Sequence, residues 1–283
     1  MRWRSRRSLM LLPAGLWYLA FLVAPLAVLF VFSFGVRSPN GGYQSAFTLE
    51  QYQQIGTRLT PFLNTIWYGL LGTVACLLVA YPLAYYLATR AGSRKTILLA
   101  LVIIPLWTSF LIRTYAWMFL LGSNGIPHLA EQLGFGDRVQ LLNTPFAIVL
   151  GIVYNYLPLM VLPLYVSLER LDKSLLEGSR DLGAGPFATF RQITLPLSMP
   201  GVVAGCFLVF IPAMGEYLIP VLLGGGKTYF LGNALADLFL QSRNWPFGAA
   251  VGSAFVVIML GVVLAYDRLT SRLARSRPDA QLL

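Results

Sequence analysis

The stretch that decides the fold reads EGSRDLGAGPFATFRQITLPLSMPG, residues 177–201. It mixes charges of both signs and lies between two strongly apolar segments. Of the 283 residues, 57% are hydrophobic and only 11% are charged, and the mean hydropathy is +0.68. A chain this apolar does not build one soluble core inside a wettable surface. The sequence therefore predicts a membrane protein that crosses the bilayer several times, with this stretch as a polar loop.

Six apolar segments are long enough to cross a membrane, since a spanning helix needs about 20 mostly apolar residues. They run over residues 9–34, 62–88, 97–121, 145–168, 201–223 and 246–266. The first segment follows a basic stretch, which makes a cleaved signal peptide the alternative. Its apolar run is too long for one, however, and no small-x-small cleavage pattern closes it. We expect an all-α polytopic membrane protein with six transmembrane helices in one transmembrane domain, residues 1–283.

The basic residues predict the orientation of these spans, because Lys and Arg concentrate in cytoplasmic loops. Fifteen of the 21 lie in the two termini and in the second and fourth loops, which places both termini and the polar loop in the cytoplasm. The net charge of +10 requires no nucleic-acid partner, since it reflects this asymmetry and attraction to anionic headgroups. The fifteen are Arg2, Arg4, Arg6, Arg7, Arg90, Arg94, Lys95, Arg170, Lys173, Arg180, Arg191, Arg268, Arg272, Arg275 and Arg277. The opposite side has Arg37, Arg58, Arg138, Lys227 and Arg243, and Arg113 lies within the third span.

The polar loop, about residues 172–196, is predicted to form two short helices joined by a turn. Asp172 or Ser174 can cap the first helix, and Ser174 with Glu177 forms a capping-box pattern. Glycine tolerates the left-handed conformation that closes a helix, so Gly183 and Gly185 are expected to end it.

The second helix of the loop is expected to begin at Pro186, and Pro196 and Pro200 are expected to end it before the fifth span. The loop also carries apolar side chains that water would surround unless another molecule covered them. A cytoplasmic protein partner is therefore predicted. The residues concerned are Leu175, Leu176, Leu182 and Phe187.

The spacing of the loop resembles a known motif. Glu177-Gly178-Ser179, three residues, Gly183, nine residues and Ile193-Thr194-Leu195-Pro196 are similar to the EAA loop of bacterial ABC importer permeases, E-A-A-x3-G-x9-I-x-L-P. The resemblance implies a coupling helix that docks into the ATPase subunit. Gly178 and Ser179 replace the two alanines, and the glycine weakens the helix by about 1 kcal/mol. The implied coupling residues are Glu177, Gly178, Asp181, Leu182, Gly183 and Ala184.

Two further segments narrow the resemblance. PLWTSFLIRTYAWMFLLGSNG (105–125) and FIPAMGEYLIPVLLGG (210–225), followed by Asn244-Trp245-Pro246, resemble permease subunits of spermidine/putrescine importers. The resemblance implies an inner-membrane type I importer with a second permease chain, two cytoplasmic ATPases, an external binding protein and no cofactor. Related permeases carry iron, sulfate or phosphonate, which leaves the substrate open. The alternative from another class is a stand-alone channel or an ion-driven transporter.

Enzymatic chemistry has few candidate residues. Gly226-Lys227-Thr228 imitates the end of a phosphate-binding loop, but Val221 occupies the position that requires glycine. His128 lies near Glu131 and Asp137, where an ordinary solvated loop is favoured over a metal site. We predict no catalytic residues, no metal site and no ATP hydrolysis on this chain.

Two ionisable residues fall within spans, where charge is costly and commonly faces a bundle interior or a cavity. Arg113 and Glu216 lie 16 and 15 residues from the predicted cytoplasmic ends of their spans, and therefore at a similar depth. In one interpretation they pair and hold the third and fifth spans together. In the other, Glu216 lines the substrate path and attracts an organic ammonium, while Arg113 is neutralised elsewhere.

Neighbouring residues extend the second interpretation. Aromatic faces attract ammonium groups, and an amide can add hydrogen bonds to the path. Pro212 and Pro220 bracket Glu216 and are expected to interrupt the helix there, as happens where transporter helices open around a site. The predicted path residues besides Glu216 and Arg113 are Tyr217, Trp107, Tyr115 and Asn155.

Overall fold

A computed structural model describes residues 12–56, 58–134 and 139–275. Several residues named in the sequence predictions lie outside these ranges. They are the start of the first predicted span (9–11), Arg2, Arg4, Arg6, Arg7, Asp137, Arg138 and Arg277.

The described chain is predominantly helical, which confirms the predicted all-α class. Its helices are α1 (Leu12–Phe32), α2 (Glu50–Ile55), α3 (Thr60–Thr89), α4 (Lys95–Ile103), α5 (Phe110–Leu121), α6 (Ile126–Gln132), α7 (Pro145–Glu169), α8 (Lys173–Asp181), α9 (Pro186–Met214), α10 (Leu218–Leu222), α11 (Leu231–Ala236) and α12 (Trp245–Arg275). A two-stranded antiparallel hairpin, β1 (Val36–Arg37) and β2 (Tyr43–Gln44), follows α1 and pairs Val36 with Gln44.

Five of these helices are long and apolar enough to span a membrane, namely α1, α3, α7, α9 and Trp245–Arg268 of α12. The third predicted span is instead a bent pair of helical segments, Gly92–Trp107 and Phe110–Gln132, which meet at 95° and bring the number of spans to six if they count as one. A 3₁₀ turn, Ile104–Trp107, contains Pro105, and Thr108 and Ser109 follow in extended conformations with ψ of 149° and 136°. The hydrogen-bond ladder therefore stops there.

The fifth predicted span has different limits from those expected. Pro196 and Pro200 do not end a helix, because α9 continues through both from Pro186 to Met214. A π turn, Phe190–Thr194, shifts the hydrogen-bond register just before Pro196, and such turns accommodate irregularities within a helix. At the other end α9 stops at Met214, nine residues before the predicted limit at Leu223.

The chain divides into two compact units, and the first comprises Met1–Thr60 and Asn233–Val262. Its hairpin is tied to the segment before α12, since Arg37 donates to the Ser242 carbonyl at 2.7 Å. Gly252 lies where α12 packs against α1. A Cβ atom on Gly252 would lie 3.3 Å from the Leu29 side chain, so α12 and α1 approach closely there.

The second unit comprises Pro61–Gly232 and Val263–Leu283, and its core lies among α3, α7 and α9. Helices α7 and α9 approach closely at Gly201, because a Cβ on Gly201 would lie 2.5 Å from Ser167 Cβ. One buried cluster lies toward the end of the unit where Leu87 and Leu168 are found, and we call this the hairpin end. A second cluster, which includes Ile152, Ala213 and Ile219, lies toward the opposite end.

Candidate functional site

The candidate intramembrane site is built on an interruption between α9 and α10. Pro212 cannot donate a backbone hydrogen bond, and the chain leaves the helix after Met214, with Gly215 N–H bonded to the Pro212 carbonyl at 3.1 Å. Helix α10 resumes at Leu218 and contains Pro220. The predicted interruption between Pro212 and Pro220 is therefore confirmed. We call residues 215–217 the break.

Glu216 lies in the break and is only 6% exposed. Its Oε1 accepts hydrogen bonds from the N–H groups of Tyr217, Leu218 and Ile219 at 3.1, 3.0 and 3.4 Å. Its Oε2 accepts a 2.6 Å hydrogen bond from the Tyr156 hydroxyl on α7. The carboxylate therefore caps the N-terminus of α10 and ties the break to α7.

Arg113 on α5 and Asn155 on α7 form the adjacent part of the site, and they are 8% and 2% exposed. The Arg113 guanidinium donates to the Asn155 carbonyl at 3.4 Å and lies 5.8 Å from the centroid of the Phe110 ring. Asn155 Nδ2 donates to the Gly151 carbonyl at 2.9 Å. Arg113 Nε and Asn155 Oδ1 have no hydrogen-bond partner, which leaves one buried donor and one buried acceptor on facing helices.

The two predicted intramembrane charges meet α7 at consecutive residues, because Arg113 contacts Asn155 and Glu216 contacts Tyr156. Both side chains therefore lie beside the same turn of α7. No ion pair joins Arg113 to Glu216 in the described part of the chain. The two side chains therefore do not pair directly in this conformation, and each bonds to α7 instead.

The predicted aromatic residues do not surround the Glu216 carboxylate. Trp107, Tyr115 and Tyr217 are 83%, 49% and 42% exposed on the surface of this chain. The ring that does contact the carboxylate belongs to Tyr156, which sequence reasoning missed. The available signal was the polar triplet Tyr154-Asn155-Tyr156 inside an apolar span.

The polar loop forms the second candidate site, a helical hairpin made by α8, the turn 182–185 and the start of α9. Asp172, rather than Ser174, caps α8, because its carboxylate accepts the Ser174 N–H at 2.9 Å. This hydrogen bond favours the charged carboxylate and holds the pKa of Asp172 below its usual value. Gly183 has φ of +80°, which confirms that it ends α8, whereas Gly185 has φ of −68° and precedes α9.

The hairpin is held internally by a buried hydrogen bond between the Ser179 and Thr189 hydroxyls at 2.9 Å. Its apolar side chains face outward, with Leu182 90% exposed, Phe187 75% exposed and Leu175 48% exposed. Of the predicted coupling residues, Gly178 and Ala184 are half-buried, and the others are exposed. The exposed ones are Glu177, Asp181, Leu182 and Gly183.

An ion pair that the sequence did not reveal lies near this hairpin. Lys95 at the start of α4 bonds to Glu169 at the end of α7, and both side chains are 40% exposed. The Lys95 ammonium also lies 5.7 Å from the centroid of the Tyr165 ring. The two residues are 74 positions apart in sequence, so local sequence patterns do not predict their contact.

Ligand sets for metals are absent from the part of the chain that the structure describes. No group of three or more His, Cys, Asp or Glu side chains is placed there to hold an ion. Cys76 and Cys206 are free thiols. The two sites offer hydrogen bonds, charge and aromatic surface.

Comparison with known proteins assigns these features to a class. The sequence profile described as "Binding-protein-dependent transport system inner membrane component" matches residues 80–277. This chain belongs to that family and is a permease subunit of an ABC importer.

Named relatives match over most of the chain. The spermidine/putrescine transport system permease protein PotB of Haemophilus influenzae is 38% identical over 265 residues, which cover 92% of each chain. PotB of Escherichia coli is 38% identical over 269 residues, covering 94% of this chain and 98% of the relative. The inner membrane ABC transporter permease protein YdcU of Escherichia coli is 33% identical over 218 residues, or 72% of this chain.

Solved structures support the same fold. A bacterial ABC transporter involved in the import of the acidic polysaccharide alginate matches with a TM-score of 0.72 at 18% identity, covering 96% of both chains. The MetNI methionine ABC transporter matches with a TM-score of 0.54 at 21% identity, over 79% of this chain. At these identities the likeness establishes the fold alone.

Proposed function

We propose that this chain forms half of the translocation path of an ATP-driven importer of polyamines such as spermidine and putrescine. The observation that carries the substrate class is the 38% identity, over more than nine-tenths of each chain, to relatives named as spermidine/putrescine permeases. Tyr217, which lies in the break and is 42% exposed, also suits an organic ammonium, because an aromatic ring attracts a cation by about 0.5–2 kcal/mol.

The substrate class is tested by uptake in a bacterial strain that lacks polyamine import and expresses this chain with its ATPase, binding protein and partner permease. Uptake of labelled spermidine should depend on this chain and should be reduced by unlabelled putrescine. Sulfate, phosphonate and ferric iron should not compete. Competition by one of these solutes, with none by putrescine, would assign the permease to that solute instead.

The partners follow from the exposed hairpin. Leu182 and Phe187 lie at its tip with most of their surface in solvent, and Glu177 is exposed beside them. We infer that an ATPase subunit covers this surface and moves the hairpin when it binds and hydrolyses ATP, so that the attached spans move as rigid bodies. A second permease chain, a second ATPase and an external binding protein complete the importer.

The proposed orientation places both termini and the hairpin in the cytoplasm, as the excess of Lys and Arg on that side indicates. Single cysteines introduced as Ser5→Cys, Ser276→Cys and His128→Cys test it. An impermeant thiol reagent applied from outside should label only the third variant. Labelling of Ser5→Cys and Ser276→Cys on opposite sides would require an odd number of spans.

We further propose that the substrate path passes the break. Glu216 presents its carboxyl group there while capping α10, and Arg113 and Asn155 fix the neighbouring helices. Tyr217, Tyr115 and Trp107 offer rings to the passing ammonium groups. The conservative change Tyr217→Phe should keep spermidine uptake, whereas Tyr217→Ala should raise the KM several-fold. Phe119→Ala, at a ring that is 73% exposed on α5, is the matched control. Equal effects of Phe119→Ala and Tyr217→Ala would remove Tyr217 from the path.

A further inference from the structure

A furrow runs along the surface of the second unit between α7 and α9, at the hairpin end. Its volume is about 480 Å³. Both bordering helices are long and apolar enough to cross a membrane, so we infer that lipid can reach most of the furrow. Its lining residues are Leu162, Pro163, Val166, Ser167, Arg170, Leu171, Leu197, Pro200, Gly201 and Ala204.

The walls of the furrow are apolar, and its floor is formed where the two helices touch. Gly201 packs against Ser167, since a Cβ on Gly201 would lie 2.5 Å from Ser167 Cβ. The Ser167 hydroxyl donates to the Ser198 carbonyl at 3.4 Å, so its hydrogen atom is directed at the protein. Hydrocarbon is therefore the chemistry that fits this part of the furrow.

Arg170 is the charged residue of the lining, and it follows directly after α7 at the mouth of the furrow. The carboxylate beside it in sequence, Glu169, is engaged by Lys95. Arg170 is exposed and forms no ion pair or side-chain hydrogen bond in the described part of the chain. The furrow thus ends at an uncompensated cation where the membrane helix ends.

We propose that this furrow binds an anionic phospholipid, with an acyl chain between α7 and α9 and the headgroup phosphate at Arg170. A guanidinium forms paired hydrogen bonds with phosphate oxygens, and basic pockets between membrane helices are typical sites for acidic headgroups. The polyammonium cargo of the proposed function does not suit this mouth, because Arg170 repels it. A helix of a second permease chain would fill the apolar walls and leave the guanidinium without an anion.

The test uses the full-length chain, purified in detergent, and counts retained lipids by native mass spectrometry after titration with phosphatidylglycerol or phosphatidylcholine. The wild-type chain should bind phosphatidylglycerol preferentially. Arg170→Gln should weaken that binding about fivefold, the effect of one basic residue at an anionic surface. Arg191→Gln is the matched control, because Arg191 is also exposed near this end but does not line the furrow. Inorganic phosphate at millimolar concentration should not displace the lipid.

A second variant tests the acyl-chain part of the proposal. Ala204→Phe fills the furrow at a half-buried position and should reduce binding of both lipids, with the folded state checked by size-exclusion chromatography and thermal unfolding. If Ala204→Phe does not fold, Val166→Trp at the 43% exposed wall serves the same purpose. Equal losses in Arg170→Gln and Arg191→Gln, or displacement by inorganic phosphate, would overturn the proposal. Disulfide cross-linking of Val166→Cys to a second permease chain in the assembled importer would also overturn it.

Discussion

The break and the hairpin each carry a glutamate, and the two carboxylates lie in opposite environments. Glu216 is 6% exposed and accepts hydrogen bonds from one hydroxyl and three backbone N–H groups. Glu177 is exposed and forms no side-chain hydrogen bond or ion pair in the described residues. The Glu216 carboxylate finds its hydrogen-bond donors within the chain, whereas the hairpin presents charge and apolar surface to another molecule. Variants at the break should therefore change stability, and variants at the hairpin should change coupling.

The largest effect on stability is expected from Glu216→Ala. The change leaves the Tyr156 hydroxyl and three backbone N–H groups without their acceptor, and each buried polar group left unpaired costs about 1–3 kcal/mol. We expect a free energy of unfolding lower by at least about 3 kcal/mol and loss of uptake. Thermal unfolding in detergent measures the change in stability. Glu169→Ala is the control, because it removes an exposed ion pair that contributes only about 0–1 kcal/mol. Equal destabilisation by the two variants would contradict the assigned role of Glu216.

A double variant sharpens the same comparison. Glu216→Gln and Arg113→Gln would compensate for each other if the two side chains formed an ion pair. Glu216 bonds to Tyr156, and Arg113 bonds to Asn155. We therefore expect the double variant to have a free energy of unfolding no higher than that of the less stable single variant. Recovery of both stability and uptake in the double variant would instead support a direct ion pair between Glu216 and Arg113.

At the hairpin we expect loss of coupling without loss of stability. Glu177→Lys reverses an exposed charge, and Leu182→Ser removes an apolar side chain that is 90% exposed, so each should change the free energy of unfolding by no more than about 0.5 kcal/mol. Both should reduce co-purification of the ATPase and abolish spermidine uptake. Leu240→Ser, at another strongly exposed leucine, is the control. Wild-type uptake in both hairpin variants would show that the hairpin does not couple the permease to the ATPase.

Two identical substitutions within the hairpin should have opposite and smaller effects. A Cβ atom at Gly178 or at Gly183 would meet nothing within 4 Å, so only the backbone conformation distinguishes the two sites. Gly178→Ala should stabilise the helical α8 by about 1 kcal/mol. Gly183→Ala should destabilise the turn by about 1 kcal/mol, because its φ is +80°. Amide hydrogen exchange of α8 should slow in the first variant and quicken in the second, and changes of the same sign would refute this account.

The smallest effect is the pH dependence of the α8 cap. The folded-state pKa of Asp172 lies below its unfolded value, so the cap contributes fully above the unfolded pKa of about 3.9 and is lost as the pH falls through the folded value. Amide protection at Ser174 should be constant between about pH 6 and 8 and should fall below about pH 4. Asp172→Asn should abolish this dependence, and an unchanged profile in that variant would assign it to another group.

The sequence predicted the spans and the hairpin well because both depend on local patterns. The length of the apolar run located α7 within one residue of its observed end. Gly183 was identified because a residue that ends a helix often adopts a left-handed conformation, which glycine tolerates. The bend at Thr108 was missed, because apolar composition does not distinguish a straight span from two helices that meet at 95°.

Long-range partners were also beyond pattern reasoning. Arg113 and Glu216 were placed at a similar depth, but depth alone left direct pairing open. The actual partners are a tyrosine hydroxyl and a backbone carbonyl on α7. Because neither group is charged, the distribution of charges along the sequence does not identify them. Trp107 is 83% exposed beside the bend, where apolar composition alone predicted a continuous span.

The central claim is that this chain moves polyamines only when an ATPase drives its hairpin. The direct measurement is spermidine accumulation in proteoliposomes that contain this chain with its partner permease and ATPase, supplied with the binding protein. We expect accumulation that requires ATP on the hairpin side, persists when ion gradients are dissipated and is abolished by Glu177→Lys. Accumulation without ATP, driven by an ion gradient and unchanged by Glu177→Lys, would contradict it.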